Sequence, residues 1–115
     1  MKEMKLSLDG ITMKVISTDK QGVIGEGTHL TFSQSRNVVS ARYSGGQIQL
    51  GYLVGLMGPE GLRFRYVQLD VHGHLDSGHS RCEISKTTEG RIRIVEHFQW
   101  ESREGSGSNV FEELK

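Results

Sequence analysis

Glycine punctuates this sequence at short intervals, and between the glycines apolar residues alternate with polar ones instead of recurring every three or four positions. Gly45-Gly46, Glu60-Gly61, His72-Gly73 and Glu89-Gly90 each follow a short alternating run and precede another. Alternation with period two places one set of side chains on each face of a strand, and such glycine-bearing connections reverse the chain. No stretch carries a helical apolar stripe. The pattern predicts an all-β chain built from hairpins between sequence neighbours.

Eight strands follow, over Gly10–Ser17, Val23–Gln34, Val38–Ser44, Gln47–Met57, Leu62–Asp70, Leu75–Lys86, Arg91–Glu101 and Asn109–Leu114. Every connection is short enough for an up-and-down meander. An open meander of eight strands would leave two long edges unpaired, and closing the last strand onto the first removes them. The expected fold is therefore an eight-stranded antiparallel up-and-down barrel, with a two-sheet sandwich as the alternative. The 115 residues form one domain, with residues 1–8 as an N-terminal extension and a flexible Gly/Ser loop at 102–108.

Apolar alternation assigns the faces, and turn geometry agrees with it. A two-residue Gly45-Gly46 turn pairs Ser44 with Gln47 and sets Tyr43 opposite Ile48. A three-residue Pro59-Glu60-Gly61 loop pairs Gly58 with Leu62. A three-residue Thr88-Glu89-Gly90 loop puts Ile84 opposite Ile94 and Cys82 opposite Glu96. The inward set becomes Met13, Val15, Leu30, Phe32, Val39, Ile48, Leu50, Val54, Phe64, Ile84, Ile92, Ile94 and Phe98. Glu26, Thr28, Ser80 and Cys82 are polar groups among them. So are Tyr43, Tyr52, Tyr66, Gln68, Glu96 and Trp100, which form the candidate ligand-binding set. A barrel of eight strands either fills itself or holds one small molecule, and polar groups converging in an apolar cavity would orient it. The competing reading is a filled barrel in which these groups satisfy one another. A buried Glu96 needs a partner or a proton.

Other chemistry is poorly supported. Cys82 is the only cysteine, which excludes an internal disulfide framework and fits a cytoplasmic location. Without an inward histidine it has no partner for nucleophilic catalysis. The Asp70–Asp76 segment, with His72, His74 and nearby His79, has zinc-binding residue types, but strand geometry scatters them over a hairpin tip. No metal and no cofactor are expected. Gly22-Val23-Ile24-Gly25-Glu26-Gly27 has the spacing of a phosphate cradle but no following helix. Fourteen basic residues balance fourteen acidic ones, so no net field draws nucleic acid or an anionic membrane. No apolar run nears the roughly 20 residues of a membrane helix. On the outer face, Leu53, Val67 and Leu69 form an expected apolar patch and thus a homodimer interface.

Tyr43-Ser44-Gly45-Gly46, Arg65-Tyr66-Val67-Gln68, the run Gly90-Arg91-Ile92-Arg93-Ile94-Val95-Glu96, Gln99-Trp100 and Glu112-Glu113 resemble a family of small bacterial proteins. Its members often carry the label N-acetylglutamate synthase. The resemblance runs from about Asp9 onward and implies a compact calycin-like barrel, related in shape to avidin-like and lipocalin-like folds. Acetyl transfer of the usual kind needs a Gln/Arg-led pyrophosphate loop entering a helix. The nearest match here has Gly22 in the leading position and no helix after it, so a binding protein is expected ahead of an enzyme, whether acetyl-transferring or using Glu96 as acid or base.

Overall fold

The computed structural model describes residues 6–114. Eight strands, β1 (Thr12–Ser17), β2 (His29–Ser35), β3 (Val38–Gly45), β4 (Ile48–Gly58), β5 (Gly61–Asp70), β6 (Leu75–Lys86), β7 (Ile92–Trp100) and β8 (Ser106–Glu113), pair in sequence order. All pairs are antiparallel, and β8 closes onto β1 through Met13–Glu113 and Val15–Phe111. The expected closed barrel is the fold. No helix of the described residues is long and apolar enough to cross a membrane.

The β6–β7 register is as the turn chemistry predicts, with Ile84 opposite Ile94 and Cys82 opposite Glu96. The two hairpins around β4 are not. Gly45 pairs with Ile48, a bulge follows, and Tyr43 then faces Gly51 instead of Ile48. Here the glycines serve a close approach as well as a turn. Both have positive φ, and a Cβ on Gly45 would run into the carbonyl of Gly27 on the β1–β2 connection. At the other end Gly58 pairs with Gly61 across a two-residue Pro59-Glu60 turn, one residue tighter than expected.

A one-residue change of register turns a strand's side chains to the opposite face. Tyr52 and Val54, expected inside, lie on the outer surface beside Leu56, with Tyr52 54 % exposed. Leu53, expected outside, is buried opposite Tyr66. Val67 is exposed as expected, while Leu69 is half-buried. Glu26 is also exposed, because residues 23–28 belong to a loop and β2 begins only at His29.

Two boundaries also shift. Ser106–Ser108 pair with β7 and extend β8, which leaves only residues 101–105 as the final connection. Leu8, assigned to the N-terminal extension, is fully buried, and its amide donates to Gln34 Oε1 at 2.9 Å. Residues 1–5 of that extension lie outside the described residues. The core itself is the barrel interior: Met13, Leu30, Phe32, Val39, Ile48, Phe64, Ile92, Ile94 and Phe98 are buried there, joined by Leu53, Leu62 and Phe111.

Candidate functional site

Inward alternation on β3, β5, β6, β7 and β8 carries Tyr43, Tyr66, Gln68, Ser80, Glu96, Trp100 and Asn109 into the barrel, and all seven are buried. Five of the six expected binding residues are therefore internal; Tyr52 is the exception. Tyr43 O–H donates to Gln68 Oε1 at 2.8 Å. Asn109 Nδ2 and Ser80 Oγ lie 2.9 and 2.6 Å from the two oxygens of Glu96. Tyr66 O–H reaches only the Gln99 carbonyl, at 3.5 Å.

Two glycines make room for the tyrosines. Gly51 sits under the Tyr43 ring, and Gly78 under the Tyr66 hydroxyl; a Cβ at either would overlap the aromatic group. The facing wall is aromatic. Phe64, Tyr66, Trp100 and Phe98 follow one another edge to face with centroids 6.2, 5.7 and 5.7 Å apart. Arg103 covers the Trp100 ring at 4.7 Å.

Residues 18–28, between β1 and β2, fold over this end of the barrel. Trp100 Nε1 donates to Gln21 O at 2.8 Å, and Thr18 Oγ1 donates to Ile24 O at 2.7 Å. Ser108 N donates to Asp19 Oδ2 at 3.3 Å, and Thr28 Oγ1 donates to Gly45 O at 2.8 Å. Ile24 is buried with the core, and Gly22 lies flat on Phe98. Beneath the loop, a cavity of about 10 Å³ is lined by Gly22, Val23, Ile24, Tyr66, Gln68, Glu96, Phe98, Trp100 and Asn109. That volume suits about one water molecule.

Burial pushes the Glu96 carboxyl above its ordinary range, opposed in part by the hydrogen bonds from Asn109 and Ser80. Burial likewise raises the Tyr43 phenol and the Cys82 thiol. Sequence reasoning missed Asn109, Thr18 and the covering loop. Asn109 shares odd parity with the apolar Phe111 on β8, a usable signal. The Gly-x-x-Gly-x-Gly run at 22–27 signalled a loop and not a strand.

The remaining sequence candidate, the Asp70–His74 tip, is a capped turn. Asp70 Oδ1 accepts from the backbone N–H of His72 and His74 at 2.9 Å each. No three of His, Cys, Asp and Glu among the described residues cluster as a metal site requires.

No curated protein and no solved structure matches the chain. A family model does, over residues 6–114, that of an avidin-like protein. The closed eight-stranded meander, its polar groups gathered at one covered end, and that match agree: the chain belongs to the avidin-like protein family.

Proposed function

We propose that the barrel binds a small, partly apolar molecule at its covered end, with Tyr43, Tyr66, Gln68, Glu96, Asn109 and Trp100 as the contacting set. One observation carries this reading. Inward polar groups of three strands, Tyr66 and Gln68 of β5, Glu96 and Trp100 of β7 and Asn109 of β8, converge on a single space beneath a loop, and the Tyr66 O–H there has only a weak partner, the Gln99 carbonyl at 3.5 Å. A filled core would be expected to pair it closely. The space of about 10 Å³ is far below the roughly 300 Å³ of a ligand pocket, so binding requires residues 18–28 to swing away. Displacing Gly22, Val23 and Ile24 uncovers the Phe98 and Trp100 rings. The enclosing loop then supplies slow release. The reading favours a binding protein in the cytoplasm, where a buried free thiol such as Cys82 is at home.

Native mass spectrometry of the purified protein, before and after denaturation and with biotin added as a first probe, tests it. A mass lost on denaturation, or a biotin adduct that Trp100→Ala abolishes, supports the site. A clean apo mass, with no adduct from biotin or from a metabolite extract, favours the filled barrel.

A homodimer is the second reading, on a corrected surface. Val38 stands opposite Leu56 and Tyr52 opposite Val67, and with Val54 they form an apolar stripe across β3–β5. Each of the five is 45–59 % exposed. An apolar stripe of this kind is covered when two copies meet about a two-fold axis. Analytical ultracentrifugation should show a dimer that Tyr52→Lys converts to monomer; a wild-type monomer at high concentration removes this reading.

A further inference from the structure

Three contacts run in series from the buried carboxyl to the covering loop. Glu96 Oε1 lies 2.9 Å from the amide of Asn109, the other end of that amide lies 3.0 Å from Thr18 Oγ1, and Thr18 Oγ1 lies 2.7 Å from Ile24 O. A threonine hydroxyl has one proton to give. With Asn109 Nδ2 turned to Glu96, that proton serves two acceptors, Asn109 Oδ1 and Ile24 O. The two ends of an asparagine amide are told apart only by their hydrogen bonds. Turned over, Asn109 donates Nδ2–H to Thr18 Oγ1, and Thr18 gives its proton undivided to Ile24. Asn109 Oδ1 then faces Glu96, which is favourable only if the carboxyl carries a proton to donate.

The chain of contacts thus has two states. With Glu96 neutral, its proton on Oε1 and the Ser80 hydroxyl donating to Oε2, each link has one donor and one acceptor, from the acid through Asn109 and Thr18 to the loop carbonyl. With Glu96 ionised, the amide must present its N–H to the carboxylate, and the bond from Thr18 to the loop is shared. The surroundings favour the neutral acid. Ser80 and Cys82 face it from β6, Asn109 from β8, Tyr66 and Gln68 from β5, and Tyr43 from β3. The thiol and both phenols are pushed further toward their neutral forms by burial. The one opposing charge is that of His97, the next residue along β7, which contacts Glu83 and Ser108 and, when protonated, draws the Glu96 carboxyl back down without outweighing its burial.

We propose that Glu96 is a proton-operated latch on the 18–28 loop. The neutral acid clasps the loop over the barrel end, and loss of the proton loosens it. As a gate for ligand entry the latch rests on the binding reading above; as a device of the fold it does not, and its test needs no ligand.

Trp100 is the only tryptophan, and its indole N–H is bonded to the loop at Gln21, so acrylamide quenching of its fluorescence reports the loop directly. In the ligand-free wild type, quenching should rise several-fold as pH is raised through a midpoint above the ordinary carboxylate range, with the far-UV circular dichroism unchanged. Glu96→Gln places an amide donor where the acid proton would be, and its quenching should stay low throughout. Thr18→Val should be quenched strongly at every pH. Should Thr18→Val not fold, the Glu96→Gln comparison decides alone. The same pH-dependent rise in Glu96→Gln, or a flat wild-type profile, overturns the proposal. A protein that never binds a small molecule would still show the latch, so the two readings fail separately.

Discussion

Replacing Gly51 by alanine should cost far more than a single methyl group suggests, and the cost should vanish when Tyr43 is removed. Gly51 has no positive φ, so alanine is permitted by the backbone; the obstacle is the ring of its cross-strand partner Tyr43. The three atoms nearest an added Cβ all belong to that ring. Overpacking of this kind costs about 1–3 kcal/mol. If the ring rotates away instead, Tyr43 O–H leaves Gln68 Oε1, and two groups only 2 % and 3 % exposed lose their hydrogen bond. That adds a further ~1–3 kcal/mol. In a Tyr43→Val background neither loss remains, and Gly51→Ala should stabilise by about 0.5–1 kcal/mol, the ordinary advantage of alanine over glycine in a strand. Urea unfolding followed through Trp100 fluorescence, on the four proteins of this double-mutant cycle, measures the coupling. Independent sites add within roughly 0.5 kcal/mol. An equal cost in both backgrounds would refute the account of Gly51 as the seat of the Tyr43 ring.

Three further outcomes follow from the same geometry. The folded protein holds the Glu96 proton more tightly than the unfolded chain, so above pH 4.5 the wild type should lose stability relative to Glu96→Gln, by about tenfold in the folding constant per pH unit, until the folded carboxyl ionises; parallel stability curves would count against a buried acid. Asp70 behaves oppositely. The backbone N–H and side chain of His74, with the N–H of His72, hold its carboxyl down at about 2, so its contribution is present at pH 5 and lost as pH falls toward 2; the urea-midpoint gap between wild type and Asp70→Asn should close over that range. At Gly22, a Cβ would lie 3.1 Å from the Phe98 ring, so Gly22→Val should prop the loop open and raise Trp100 quenching at all pH values while leaving the barrel folded by circular dichroism.

The barrel was legible because its information is local. Hairpin connections, short alternating runs and the need to hide two edges determine an up-and-down meander, and β6–β7 even matched residue for residue. Register at Gly45-Gly46 was not legible, because its cause is remote. The bulge there accommodates Gly27 and Thr28, residues some seventeen positions earlier whose path over the barrel end no turn rule encodes. The loop itself was hidden by Val23 and Ile24, which read as strand residues although Ile24 is buried from a loop.

The site survived these errors for a physical reason. The slip at the β3–β4 turn reverses the faces of β4, and the slip at the β4–β5 turn reverses them again, so β5 and the strands after it keep the faces assigned to them. The damage is confined to β4, and both misplaced functional residues, Tyr52 and Leu53, lie on it. They exchange roles. Leu53 packs inward beside Tyr66, and Tyr52 supplies the centre of the exposed apolar stripe. Gln68, Glu96 and Trp100 are moreover tied to the inner face by their own strands, since each shares parity with buried apolar residues, Leu62 and Phe64 on β5 and Ile92, Ile94 and Phe98 on β7, whatever the turns at either end of β4 do.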